Sequence, residues 1–255
     1  MDLQLDGLVA IVTGASTGIG RATALELANE GASVVGASRR SPDAEVRGVT
    51  SIEVDLSTDD GPADVVRQAF ERHGRLDILV NNAAMGRISP EPLDQDDRLW
   101  SDTLELNLMA AVRTTRAAMP HLLVNGGVVV NVTSVNGRVP AAEAPAYSAS
   151  KAALLNFGKA ISSHYASQGV RVVTVSPGLT ATPMWLGEGG IAEQIESLGA
   201  GEAASISEAA ATSTPLKRFL TPEEIASCIC FVASPRASAV TGAEFVVDGG
   251  VSQAM

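Results

Sequence analysis

The chain has 255 residues, enough for one large α/β domain or two small ones, and 45% are hydrophobic, enough to bury a core without disulfides or metals. Acidic side chains outnumber basic ones 29 to 18, and the resulting net charge of −11 repels phosphate backbones and anionic lipid. No nucleic-acid or membrane partner is expected. The amino terminus Met1-Asp2-Leu3-Gln4-Leu5-Asp6 lacks the basic start and apolar core of a secretory signal, and no apolar run nears the ~20 residues that span a bilayer. A soluble, cytoplasmic protein is expected.

Short apolar runs at 8–13, 33–37, 51–54, 77–81, 127–133, 170–176 and 244–247 read as strands. Helix-length stretches at 19–30, 61–73, 96–123, 149–168 and 222–233 lie between most of them. The strands are almost wholly apolar rather than alternating, which indicates burial on both faces. The expectation is α/β: a single Rossmann-type, doubly wound parallel sheet of about seven strands with helices on both faces. No repeat or linker divides 1–255, so one nucleotide-binding domain is expected. Pro42 and Gly48 argue against a full crossover helix within 38–50. The stretch 183–215 reads as a long loop with helix-like fragments near 191–198; long loops in compact domains are often lids, and this one follows a strand's carboxyl end. Its Met184, Trp185, Leu186 and Ile191 suit an apolar portion of a substrate. Cys228 and Cys230, i and i+2 in an apolar helical run, suit neither a disulfide nor a metal pair. His73, His121 and His164 show no metal spacing, and no metal is expected.

The first strand runs into Thr13-Gly14-Ala15-Ser16-Thr17-Gly18-Ile19-Gly20 and then a helix. Glycines permit a tight turn and close backbone approach, and the helix start presents free N–H groups to a pyrophosphate. The spacing differs from the usual Gly-x-Gly-x-x-Gly dinucleotide fingerprint. After the second strand, where an acid would bond the ribose hydroxyls of NAD, the chain has Ser38, Arg39 and Arg40. The guanidinium fork matches phosphate, so NADP(H) is expected over NAD(H).

Tyr147 and Lys151 stand four residues apart, which places phenol and ammonium on one helix face. A nearby cation favours the phenolate and moves a phenol pKa of ~10 toward the working range. Alone, the pair is better read as an ordinary exposed helix face.

Together these segments resemble the short-chain dehydrogenase/reductase family, in its compact single-domain branch, over nearly the whole chain. The turn from Thr13 to Gly20 is similar to the family's cofactor turn, and Asp55-Leu56 to the pair that contacts adenine. Asn81-Asn82-Ala83-Ala84 falls where the family has Asn-Asn-Ala-Gly, with Ala84 a departure. Asn107 matches the active-site asparagine, and Ser134, Tyr147 and Lys151 match the catalytic residues. Pro177-Gly178, with Thr180 and Thr182, resembles the stretch over the nicotinamide, and the Val247-Asp248-Gly249-Gly250 tail is also alike.

The resemblance implies interconversion of a ketone and a secondary alcohol: Tyr147 protonates the oxygen, Ser134 holds it, Lys151 serves phenol and ribose, and Asn107 orders a water. It also implies a homo-oligomer, tetramer or dimer, with helices 96–123 and 149–168 at an interface. The expected partner is a small carbonyl or alcohol. Steroid, sugar, xenobiotic and 3-oxoacyl-thioester substrates all remain open. Competing readings are a non-catalytic NADP-sensing regulator, against which the Ser134/Tyr147/Lys151 set argues, and an isomerising or dehydrating enzyme that recycles its cofactor.

Overall fold

The computed structural model describes residues 2–40 and 48–252. The expected absence of a crossover helix after Arg40 falls largely on 41–47, outside the described residues. Among those described, strands β1 (Val9–Thr13), β2 (Ser33–Ser38), β3 (Val49–Glu53), β4 (Ile78–Asn81), β5 (Val128–Val132), β6 (Arg171–Pro177) and β7 (Glu244–Val247) form one sheet. Its order is β3-β2-β1-β4-β5-β6-β7, and every pairing is parallel. The order reverses between β1 and β4, where open sheets of this kind leave a crevice at the strands' carboxyl ends.

Burial on both faces explains the continuous apolar runs. Ala10 and Val12 of β1 pack with Leu27, Ile225 and Ile229, whereas Ile11 between them packs with Val65, Met119 and Leu122. Helices α1 (Gly18–Asn29) and α2 (Gly61–His73) therefore cover opposite faces. Pro62 opens α2, and Gly74 closes it at φ 69°, a left-handed position that favours glycine.

The helix expected over 96–123 is broken into α3 (Asp97–Leu104), a π-turn (Glu105–Met109) and α4 (Ala110–Asn125). A π-turn inserts one residue into the helical ladder and recurs at functional sites. The helix expected from 149 starts earlier, as α5 (Pro145–Tyr165), because Pro145 at its first turn needs no N–H partner. The stretch 183–215 is helical rather than a loop: α6 (Pro183–Leu186), α7 (Ile191–Ser197) and α8 (Ala203–Ser213). Its ends meet, since Ala181 N donates to Leu220 O at 2.8 Å and Leu220 N to Leu179 O at 2.9 Å.

Helix α9 (Pro222–Ala233) begins with a capping box between Thr221 and Glu224. The Arg218 fork on Glu224, both contacts at 2.7 Å, holds that carboxyl down at about 2. At the other end of α9, Arg171 donates to the carbonyls of Val232 (2.9 Å), Ala233 (3.3 Å), Ser234 (3.1 Å) and Val240 (3.1 Å). No helix among the described residues is long and apolar enough to cross a membrane.

Candidate active site

A cavity of about 1290 Å³ runs along the carboxyl ends of the strands. Gly14, Ser16, Thr17, Gly18 and Ile19 form one end of its wall, with Ser38, Arg39, Arg40 and Leu56 beside them. Asn82, Ala83 and Ala84 line the floor, and Pro177, Gly178, Thr180 and Thr182 the far side. Ser134, Tyr147 and Lys151 lie on the same wall. Gly20, Asp55 and Asn107 do not.

The glycines of the turn have different tasks. A Cβ on Gly14, at φ 68°, would lie 2.9 Å from the Ala83 Cα and the Asn82 amide. One on Gly20 would lie 2.2 Å from the Gly14 carbonyl oxygen, so Gly20 packs helix against turn instead of facing the cavity. One on Gly18, at φ 54°, would meet the Thr182 side chain at 3.2 Å. Thr13 Oγ1 accepts from Asn82 N (2.9 Å) and Ala83 N (3.0 Å), and Asn82 Nδ2 donates to Thr13 O (2.9 Å). These bonds tie β1 to β4 at the crevice. Ala84 sits at a negative φ, so its methyl imposes no backbone strain where the family has glycine.

At the end of β2, Ser38 Oγ donates to Arg40 O at 2.6 Å, folding the chain so that two exposed arginines flank the crevice. Asp55 lies off the wall. Its carboxylate accepts from Ser57 N (2.9 Å) and Ser57 Oγ (2.7 Å), which with the nearby Arg39 charge hold it below the ordinary value.

Lys151 is buried, 2% exposed, and its ammonium donates to Val132 O at 2.9 Å. Burial lowers its pKa to about 8. Its Nζ lies 5.7 Å from the centre of the Tyr147 ring, within cation–π range. Burial pushes the Tyr147 phenol above its ordinary value, and a hydrogen bond with Ser134 pulls the other way. The spacing suggested a phenol lowered by the lysine. Here removal from water dominates, because the ammonium faces the Val132 carbonyl.

Ser134 is at once a cap and a site residue: its Oγ accepts from Asn136 N at 3.2 Å at the start of the 3₁₀ turn Val135–Gly137. Asn107 stands behind the wall in the π-turn. Its Oδ1 accepts from Met85 N (2.8 Å), and its Nδ2 donates to Met85 O (2.9 Å) and Ser150 Oγ (3.0 Å). Both amide hydrogens are used, so the side chain braces the segment after β4. Sequence reasoning missed Met85, Gly86 and Gln194. A Cβ on Gly86 would lie 3.6 Å from the Tyr147 ring, and Gln194 Oε1 accepts from Ile88 N at 3.2 Å, joining α7 to the same segment. Gly86 directly follows the Asn-Asn-Ala-Ala-Met run, a cue visible in the sequence.

Elsewhere, burial raises the Cys228 and Cys230 thiols and lowers His73. Among the described residues no cluster of three His, Cys, Asp or Glu could hold a metal ion.

A parallel sheet with a glycine turn and a Ser-Tyr-Lys set at its carboxyl rim defines a class of nicotinamide-dependent oxidoreductases, and comparison with known proteins agrees. The family model described as enoyl-(acyl carrier protein) reductase matches residues 14–252. Cis-4-hydroxycyclohexanecarboxylate dehydrogenase of Sinomonas cyclohexanicum is 36% identical over 252 residues, 95% of each chain. The structure of L-sorbose reductase from Gluconobacter frateurii, complexed with NADPH and L-sorbose, aligns with TM-score 0.89 at 32% identity over 100% of both chains. That of 3-ketoacyl-(acyl-carrier-protein) reductase from Brucella melitensis, complexed with NADH, aligns with TM-score 0.85 at 28% identity over 97% of this chain and 99% of that one. The chain belongs to the short-chain dehydrogenase/reductase family and is an oxidoreductase acting on CH–OH donors.

Proposed function

We propose that this protein interconverts a ketone and a secondary alcohol with NADP(H), using Tyr147 as the general acid and base. The observation that carries the reading is the pairing of Tyr147 with a buried Lys151 that spends one of its three N–H donors on Val132 O. The Gly14 to Ile19 turn on the cavity wall and the two unspent Lys151 donors fit a nicotinamide dinucleotide. Gly14 to Ile19 would hold its pyrophosphate, Lys151 a ribose diol, and Arg39 and Arg40 a 2′-phosphate. A bound nicotinamide would supply hydride to the carbonyl carbon, or accept it in reverse.

The chain's own groups manage the oxygen. Ser134 Oγ accepts from Asn136 N and shares a hydrogen bond with the Tyr147 phenol; with substrate bound, its hydroxyl turns its hydrogen to the substrate oxygen. Tyr147 Oη gives that oxygen its proton, and its raised pKa keeps the phenol protonated until then. The phenolate left behind is favoured by the Lys151 charge. Helices α6 and α7 close one side of the cavity as a substrate lid, with Met184, Trp185 and Ile191 on the wall beside polar Arg87, Asn136 and Glu143. A compact substrate with an apolar body and polar substituents suits this lining, in keeping with the hydroxycyclohexanecarboxylate and L-sorbose of the relatives' names. A 3-oxoacyl thioester is the second reading, favoured by the ketoacyl reductase likeness.

The test is a panel of carbonyls and alcohols assayed with both nicotinamide cofactors, on the parent and Tyr147→Phe. We expect a lower dissociation constant for NADPH than NADH, and in the variant a turnover loss of at least ~10² with NADPH binding kept. Near-normal turnover of Tyr147→Phe would overturn the acid assignment, and a preference for NADH would overturn the arginine assignment.

A further inference from the structure

Ser134 caps a three-residue 3₁₀ turn, Val135–Gly137, whose one bond to the serine side chain is Asn136 N to Oγ at 3.2 Å. On one side the turn rests on α5, since a Cβ on Gly137 would lie 3.1 Å from the carbonyl of Lys151. On the other side lies Glu244, the first residue of the edge strand β7, with a side chain only 9% exposed. Its Oε2 receives the Nε and an Nη of Arg138, the residue that closes the turn. Its Oε1 accepts from Ser176 Oγ at 2.5 Å, and Ser176 Oγ lies 2.6 Å from Thr133 Oγ1. Ser176 and Thr133 are 0% and 4% exposed.

An ionised carboxylate only accepts, and that fixes the direction of the chain. Ser176 must spend its one hydrogen on Glu244, so Thr133 must donate to Ser176 at 2.6 Å in preference to the longer contact with Val175 O at 3.4 Å. Thr133 immediately precedes Ser134, and Arg138 closes the turn it opens. One buried carboxylate thus holds both ends of the segment that carries the serine, and Thr133 also follows Val132, whose carbonyl receives Lys151.

We propose that Glu244 is a positioning residue: through Thr133–Ser176 and Arg138 it fixes Ser134 against Tyr147 and Lys151. The inference rests on the reading of Ser134 as the donor to the substrate oxygen. Glu244→Gln keeps the shape but brings N–H donors to a site that needs only acceptors, and it removes the charge that Arg138 pairs with.

The experiment is a double-mutant cycle of Glu244→Gln with Ser134→Ala, reading kcat, KM and the NADPH dissociation constant by fluorescence. We expect Glu244→Gln alone to lower kcat by between about tenfold and about 10²-fold, the scale set by a misplacement near one ångström. NADPH affinity should stay within about twofold, and in the Ser134→Ala background the substitution should change kcat by less than about twofold. Arg138→Met, which breaks only the outer arm, should show the same pattern at smaller size. An equal loss in both backgrounds, a parallel loss of NADPH affinity, or parent-like kcat in Glu244→Gln and Arg138→Met would each overturn the brace. A harmless Ser134→Ala would overturn the donor reading itself and the brace with it; a damaging Ser134→Ala beside a harmless Glu244→Gln would overturn the brace alone.

Discussion

Arg171, at the amino end of β6, and Lys151, on α5 with its ammonium against the carboxyl end of β5, are both cations drawn out of water, and burial lowers the pKa of each. They differ in what meets their donors. The guanidinium donates to four carbonyls, those of Val232, Ala233, Ser234 and Val240, where the α9 dipole also favours a positive charge. The ammonium donates to one carbonyl, that of Val132, and has two hydrogens to spare. A charge with four of its five donors matched holds structure together. One left short of partners costs stability and is suited to a ligand that completes it.

The largest effect that could break this contrast is on turnover. Lys151→Met should lower turnover by ~10³, within the range for proton-transfer catalysis, while the melting temperature holds or rises because an apolar chain needs no charge desolvated. A melting temperature several degrees lower would mean that Lys151 is structural after all. Arg171→Met should do the reverse, keeping turnover but losing about 3 kcal/mol in urea unfolding as the α9 carbonyls lose their partners. Unchanged stability would remove Arg171's side of the comparison.

The smallest effect is on the pH dependence of folding. With a native pKa of about 8 against an ordinary 10.5, the unfolded chain binds a Lys151 proton that the native chain releases across that window. Stability from this group is therefore present in full above 10.5 and lost as the pH falls through 8. Unfolding free energy should rise by about 1 kcal/mol per pH unit between these values, and urea titrations of Lys151→Met should lack that slope.

Much of this was legible in the sequence, for identifiable reasons. A parallel strand buried on both faces has no polar face to hide its apolar run, and a glycine that must admit a neighbouring backbone has no substitute. Hence the strands were found within a residue or two, and the Gly14–Ile19 turn lines the crevice as expected. Several features depend on distant partners instead. The π-turn at Asn107 is bound up with an amide clamped on Met85, and a smooth apolar pattern across 96–123 hides it. The brace through Glu244 joins residues 43 and 68 positions apart along the chain. The phenol of Tyr147 was expected to fall, yet it rises, because spacing shows the cation and says nothing of lost water. Of the three short helices of 183–215, only the one near 191–198 was expected, because the Gly- and Ala-rich stretches around it have weak periodicity.

The excursion that carries those helices leaves and re-enters the body of the protein at one point, where Leu179 and Ala181 pair with Leu220. A segment stitched shut at its base has its ends fixed independently of its length, and Gln194 on Ile88 N ties it to the crevice a second time. Lengthening it between these ties adds a closure entropy that grows by only ~0.6 kcal/mol for each doubling. Pocket shape in such a protein can therefore diverge as a cartridge, swapped or resized between Ala181 and Leu220, while the residues that handle the proton keep their places.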